Sequence, residues 1–324
     1  MSYMPSDSPN PTKRARRKRP LWRRIARLLL ALTILWFVGT GVATFLLTHR
    51  LSGPIPQPPP AVDWGTLEQV RLKTDDGQDI GAWLNRKGNH SPVVLFLHGV
   101  SHDRADWLRE MQTMSKQDYA SMAISFRAHG DSTGHVEDFG YGERNDVVVA
   151  VRYLRGQFPG RPIVLVGNSL GSCAAIFAAR SLGSDVAGYF LEAPFHDLLT
   201  AVKNRADIAP PPLNWLGYCG FRIWGRILLP ENPTLISPID HVAEIPADVP
   251  VTFIAARRDP MCKLWEVEDQ FHKIEGHSKL VIIESGVHGA CRWSHRKQYE
   301  AALFELLRKV ETLRGTGGPP VIPL

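Results

Sequence analysis

Residues 163–181 read IVLVGNSLGSCAAIFAARS. The first four form a continuous apolar run of the kind expected for a strand buried on both faces. The helix that follows is read over Ser172–Ser181. Between them stands Gly167-Asn168-Ser169-Leu170-Gly171, a G-x-S-x-G pattern. A sharp turn from strand into helix holds the serine in a strained conformation with its hydroxyl exposed above the sheet. The two glycines remove side chains that would collide across that turn. The helix start adds backbone N–H groups and positive potential beneath a reacting centre. The five-residue pattern alone is weak, and its place between strand and helix is what makes it specific.

Working outward, similar apolar runs occur at Val93–Leu97, Ala120–Phe126, Val186–Leu191, Val251–Ala255 and Leu280–Ile283. Two shorter alternating segments, Thr66–Lys73 and Asp79–Asn85, are joined through Asp76-Gly77, a hairpin signal. Helical periodicity fills most gaps. In Arg144–Phe158, for instance, Val147, Val148, Val151 and Leu154 share one face. Antiparallel strands followed by strand–helix alternation predict an α/β domain over 64–313, with a mostly parallel eight-stranded sheet and helices on both faces. Residues 198–240, with prolines at 210–212 and aromatics Trp215, Tyr218, Phe221 and Trp224, are too long for a plain connection and read as a small helical cap.

Ser169 is the candidate nucleophile. His98-Gly99-Val100-Ser101 directly follows VVLFL, and a turn there can aim a backbone N–H at a developing oxyanion. The N–H groups of Val100 and Leu170 are the candidate oxyanion hole, and His98 reads as an anchor of the turn. In this arrangement the chain order is serine, acid, histidine. Asp259 follows the run VTFIA and His288 follows LVIIE, both just past strand C-termini, where ligands bind in open α/β sheets. Asp259 is flanked by Arg257 and Arg258, so surface ion pairing is its alternative role. His295 reads as a surface or capping residue, and His102, His129, His135 and His196 as walls of the cleft. The reading calls for no metal and no organic cofactor.

Leu28–Leu47 reads LLLALTILWFVGTGVATFLL. Twenty uncharged residues at about 1.5 Å each span about 30 Å, the thickness of a bilayer core. A signal peptide's apolar region is shorter and ends at a small-x-small site; this one ends in Phe45-Leu46-Leu47-Thr48-His49-Arg50. Residues 1–27 carry nine basic residues and one acid, whereas Arg50 is the only Lys or Arg in the twenty residues after the run. Basic flanks stay cytoplasmic. The expectation is therefore a single-pass anchor over 28–47, with a cytoplasmic basic tail over 1–27 and the domain outside the cytoplasm. Pro54–Pro60, with five prolines in seven residues, makes 48–63 a stiff linker that holds the domain off the membrane. Residues 314–324 read as a frayed tail.

The chain has 324 residues and a formal net charge of +6. The nine cations of the tail account for that excess. Without the tail's charges, 29 basic residues face 31 acidic ones. The alkaline balance therefore gives no reason to expect nucleic-acid binding. Four cysteines exclude a disulfide scaffold, and no C-x-x-C pair points to structural zinc.

Taken in order, VVLFLHGVSHDRADW, AISFRAHGDSTG, VLVGNSLG, SPIDHVAEIPADVPVTFIAARRDP and GVHG resemble the α/β-hydrolase superfamily, in its serine-aminopeptidase-like and BEM46-like branch. The branch's RGHGxSxG loop reads Arg127-Ala128-His129-Gly130-Asp131-Ser132-Thr133-Gly134 here, with alanine for the first glycine. The resemblance implies two-step acyl transfer by Ser169, His288 and Asp259 on a small-molecule or lipid acyl substrate. An esterase or lipase-like activity ranks first. A peptidase on the same triad is the alternative, for which Glu192, Asp197 and Asp207 are isolated candidates to hold an α-amine. An acyltransferase differs only in its acceptor. A non-catalytic binding protein would carry a broken triad, and all three members are present. In such a fold Cys262 and Cys291 lie in neighbouring loops and could approach the roughly 4.4–6.8 Å between Cα atoms that a disulfide needs; four free thiols are the alternative.

Overall fold

A computed structural model describes residues 20–314. Of the tail expected over 1–27, residues 1–19 lie outside the described residues, as do 315–324. The chain divides into two compact units, one ending at Gly39 and the other beginning at Thr40. One helix, α1 (Leu21–Thr48), crosses that division and is long and apolar enough to span a membrane. It starts seven residues before the apolar run, so Arg23, Arg24 and Arg27 occupy its first two turns.

From Thr40 onward the strands are β1 (Leu67–Lys73), β2 (Asp79–Asn85), β3 (His90–Leu97), β4 (Tyr119–Ile124), β5 (Ile163–Asn168), β6 (Gly188–Glu192), β7 (Val251–Ala256) and β8 (Ser278–Ile283). They form one sheet in the order β1-β2-β4-β3-β5-β6-β7-β8. β2 is antiparallel to both β1 and β4, and every later pairing is parallel. The helices are α2 (Leu108–Lys116), α3 (Arg144–Gln157), α4 (Leu170–Leu182), α5 (Leu198–Ala206), α6 (Leu213–Leu228), α7 (Pro238–His241), α8 (Leu264–Lys273), α9 (Cys291–Ser294) and α10 (Arg296–Arg314). The chain thus has the eight-stranded α/β-hydrolase architecture, with α5 and α6 inserted between β6 and β7.

Strand alternation explains why both faces are covered. Val93, Leu95 and Leu97 of β3 join one core with α3, α4 and α8, while Val94 and Phe96 join a second core with α2 and α10. Successive strand residues point to opposite faces, so a strand apolar throughout must be buried twice. The insertion has its own small core, in which Leu198, Ala201 and Phe221 meet Cys173 and Phe177 of α4.

The proline-rich segment departs from the spacer reading. It runs along the domain. Arg50 N donates to His135 O at 2.8 Å and Ile55 N to Gly130 O at 2.9 Å. Arg50 Nη2 also donates to Gly130 O at 2.7 Å. Extended proline-rich backbone makes no hydrogen bonds to itself. Its N–H groups therefore pair with carbonyls that the turning 127–137 loop leaves unused. Gln57 goes deeper: its carbonyl accepts from Arg104 Nη2 at 2.7 Å.

Arg104 is fully buried and forms two hydrogen bonds to the Asp131 carboxylate, one of them Nη2 to Oδ2 at 2.8 Å. Asp131 belongs to the Arg127–Gly134 loop, so this pair ties that loop to the segment after β3. Asp131→Ala strands a buried guanidinium and should cost about 3–5 kcal/mol of unfolding free energy. Asp75→Ala, at an ion pair with Arg152 exposed on both sides, should leave the unfolding midpoint close to wild type, because solvent screens an exposed pair. Urea denaturation of the full chain in detergent micelles separates the two, and equal unfolding midpoints would refute the assignment.

Candidate active site

The parallel strands end on one edge of the sheet. β3 is in register with β5 at Leu97 and Gly167, β5 with β6 at Asn168 and Glu192, and β7 with β8 at Ala256 and Ile283. The loops after β3, β5, β7 and β8 therefore leave the sheet side by side, although they are far apart in sequence.

Ser169 sits between β5 and α4 at φ 49° and ψ −108°. Its N–H donates to Glu192 O at 2.8 Å, and its carbonyl accepts from Cys173 N at 3.1 Å. The flanking glycines are required by close approach. A Cβ on Gly167 would fall 2.6 Å from Ser172 N, and one on Gly171 would strike the Leu97 carbonyl, 2.6 Å from its carbon.

Ser169 Oγ lies 3.0 Å from His288 Nε2. His288 Nδ1 lies 2.7 Å from Asp259 Oδ2. Asp259 is nearly buried, and its Oδ1 accepts from Met261 N at 2.8 Å and Cys262 N at 3.0 Å. An ionised carboxylate only accepts, so the proton between the two sits on Nδ1. Nε2 is then the unprotonated nitrogen that faces the serine hydroxyl. Asp259 makes none of the surface ion pairs considered for it; Arg257 pairs instead with Glu284 at 2.6 Å.

The Val100 turn adjoins the nucleophile. A Cβ on Gly99 would stand 3.8 Å from Ser169 Cβ. Leu170 begins α4, and neither the Val100 nor the Leu170 N–H bonds another protein group among the described residues. His98 is fully buried. Its Nδ1 donates to Gly99 O at 2.7 Å, and its Nε2 accepts from Phe126 N at 2.9 Å. Burial, reinforced by neighbouring His129, pushes its pKa well below the usual imidazole value, so it is a neutral brace for the turn.

The other histidines have their own partners. His129 Nε2 is 2.9 Å from Glu137. Burial alone would lower its pKa, but the hydrogen bond and charge of Glu137 outweigh that and raise it. His196 is 2.9 Å from Asp197, and His295 is 2.9 Å from Ser285 Oγ and from Ser294 Oγ.

Two supporting residues escaped the sequence reading. Asn168 Nδ2 donates to Gly289 O at 2.8 Å, which ties the nucleophile strand to the histidine loop. Glu192 was read as a possible amine ligand. It is buried instead, and its Oε1 accepts from Cys291 N at 2.9 Å, just beyond His288; burial raises its carboxyl pKa. The other two acids offered for that role are also engaged. Asp197 caps α5 by accepting from Thr200 N at 2.9 Å, and Asp207 pairs with Lys203 at 2.6 Å. Position 168 within G-x-S-x-G was the only local hint of the first contact.

The Cys262–Cys291 bridge does not form, and all four cysteines are free thiols. Cys262 Sγ contacts Pro194 O at 3.4 Å, while Cys291 Sγ packs against Gly286. The Cys262 sulfur faces the loop after β6 and the Cys291 sulfur faces its own loop, so neighbouring loops alone did not align them.

Residues 94–302 match the alpha/beta hydrolase family, and the chain belongs to it. The uncharacterized protein YqkD of Bacillus subtilis is 24% identical over 71% of this chain and 76% of its own length. The lysophosphatidylserine lipase ABHD12 of Xenopus tropicalis is 25% identical over 44% of this chain and 38% of its own length. The chain thus spans well under half of that lipase. Among solved structures, the Pyrococcus furiosus esterase Pf2001 shares the fold, with a TM-score of 0.65, 21% identity, 80% of this chain and 99% of the esterase.

The glycine geometry makes a paired prediction. Gly171→Ala forces the β5–α4 junction open and should cost at least about 1–3 kcal/mol. Gly156→Ala, in α3 with nothing within 4 Å of the new methyl, should gain roughly 0.5–1 kcal/mol. Thermal unfolding of the two variants should shift in opposite directions; a Gly171→Ala protein as stable as wild type would contradict the close approach.

Proposed function

We propose that the chain is a membrane-anchored serine hydrolase that cleaves a carboxylic ester through an acyl-enzyme. The observation that carries this reading is the continuous contact from Asp259 through His288 to Ser169 Oγ, at 2.7 and 3.0 Å. His288 Nε2 takes the hydroxyl proton as Oγ attacks the acyl carbon. The Val100 and Leu170 N–H groups hold the oxyanion, and the His288 proton passes to the departing alkoxide. Water then attacks the acyl-enzyme and gives a proton to Nε2. The ester bond to Ser169 breaks, and that proton returns to Oγ as the acid leaves. Asp259 stays ionised, holding the imidazole tautomer and balancing its transient charge.

The esterase and lipase names among the relatives favour an ester, and the occupied acids Glu192, Asp197 and Asp207 leave no carboxylate of that set for an α-amine. The length and apolarity of α1 support an anchor. The excess of cations before it supports a cytoplasmic N-terminus with the hydrolase domain on the other side.

Ser169→Ala should abolish covalent labelling by a fluorophosphonate, and both it and His288→Ala should lower ester hydrolysis by about 10⁶-fold. Asp259→Asn should lower it by about 10⁴-fold, because the acid orients while the base transfers protons. Labelling of the Ser169→Ala protein at the wild-type rate would place the nucleophile elsewhere. In right-side-out membrane vesicles, external protease should digest the domain and spare a tag on the N-terminus; a protected domain would reverse the topology.

A further inference from the structure

We propose that α6 is a second membrane contact: an interfacial helix whose exposed face lies in the outer leaflet of the bilayer that α1 crosses. This rests on the reading of α1 as a membrane span. α6 carries Leu213, Trp215, Ile223 and Ile227 exposed to solvent, with Trp215 and Ile227 each 64% exposed. A soluble domain would not leave four large apolar side chains of one helix in water without a use for them.

The occupant follows from what lies beside that face. Thr40 and Gly41, in the last turns of α1, pack directly on α6. A Cβ on Gly41 would fall 2.7 Å from Trp224 Cε2, and one on Gly220 would fall 2.5 Å from Thr40 Cγ2. Each helix presents a glycine to a side chain of the other, Gly41 to the Trp224 indole and Gly220 to Thr40, so the two helices pack closely. Gly41 is six residues before Leu47, the end of the apolar run, and so about 9 Å inside it along the helix axis. Amphipathic helices at the interface bury their apolar faces about 5–10 Å deep. If α1 spans the bilayer, a helix seated at Gly41 is at that depth. Val42, Leu46 and Leu47 of α1 are exposed in the same compact unit.

Charge completes the match. α6 contains no acidic residue. Its two cations, Arg222 and Arg226, are exposed one turn apart on the edge of the face marked by Trp215. Long cationic side chains at such an edge reach back to headgroups and favour anionic lipid. The pinning of Arg50, Ile55 and Gln57 to the domain means that the segment after α1 does not let the domain swing away. α5 and α6 share a core with α4, the helix that Ser169 immediately precedes. Asn204 of α5 donates to Met261 O at 3.3 Å in the Asp259 loop. The membrane seat is therefore one packing layer from the candidate triad, which points to an acyl lipid resident in the bilayer as the substrate class.

The test uses the full chain with Cys219→Ser, reconstituted in vesicles of phosphatidylcholine and phosphatidylglycerol. An environment-sensitive fluorophore is placed singly at Leu35→Cys, Ile223→Cys, Ile227→Cys or Asp75→Cys. Quenching by lipids spin-labelled near the headgroup should reduce the Ile223 and Ile227 signals at least twofold and leave Asp75 unchanged. Lipids labelled deep in the chain should quench Leu35. If Leu35 is unquenched, the anchor reading itself fails. If Leu35 is quenched while Ile223 and Ile227 behave like Asp75, the anchor stands and the α6 proposal is overturned. A blue shift at Ile223 without lipid quenching, growing with protein density, would assign the face to a second copy and equally overturn it. Ile223→Asp with Ile227→Asp should slow turnover of vesicle-borne ester at least tenfold and leave a water-soluble ester unaffected; equal loss on both would refute the substrate class.

Discussion

At Ser169 the backbone takes φ 49° and ψ −108°, a conformation that costs a non-glycine residue about 1–3 kcal/mol. It persists because both ends are held. β5 is paired on each side by β3 and β6, and α4 is buried along most of its length. The Ser169 N–H is tied to Glu192 O on the neighbouring strand. Relaxing the serine would move α4, and α4 cannot move without opening the core it shares with α3 and the insertion. The hydroxyl is therefore presented by the whole sheet.

The same parallel pairing brings Asp259 and His288 to Ser169. Their loops leave adjacent strands at one edge, and two polar contacts set the final placement. Asn168 reaches across to Gly289, and Glu192 reaches Cys291. Each satisfies a backbone group in the loop that carries His288, and so limits how far the imidazole can swing. A buried carboxyl such as Glu192 is costly unless it is bonded, and its partner here is the backbone N–H of Cys291, three residues past His288.

The segment from Thr40 to Gln57 is more closely joined to the domain than its composition suggests. Proline-rich chain is stiff, but stiffness does not decide whether it stands away from a surface or lies on it. Here unused carbonyls in the 127–137 loop and the Arg104 guanidinium take up its polar groups. The last turns of α1 then meet the α6 insertion where Gly41 faces Trp224 and Gly220 faces Thr40, so the end of α1 and the proline-rich segment are both held against the domain from Thr40 onward.

Much of this was legible in the residues alone. Apolar runs mark buried strands, a helical period marks the helices, and G-x-S-x-G between the two marks a strained turn, because each depends on neighbours within a few positions. The serine–acid–histidine order followed once the strands were placed. What the sequence could not show depends on residues distant in the chain. Asn168 meets Gly289 across 121 positions and Glu192 meets Cys291 across 99. Neighbouring loops for Cys262 and Cys291 said nothing about where their sulfurs point. Local patterning specifies elements and their order. The contacts that orient His288, pin the proline-rich segment and leave the thiols unbridged exist only after the sheet has brought those elements together.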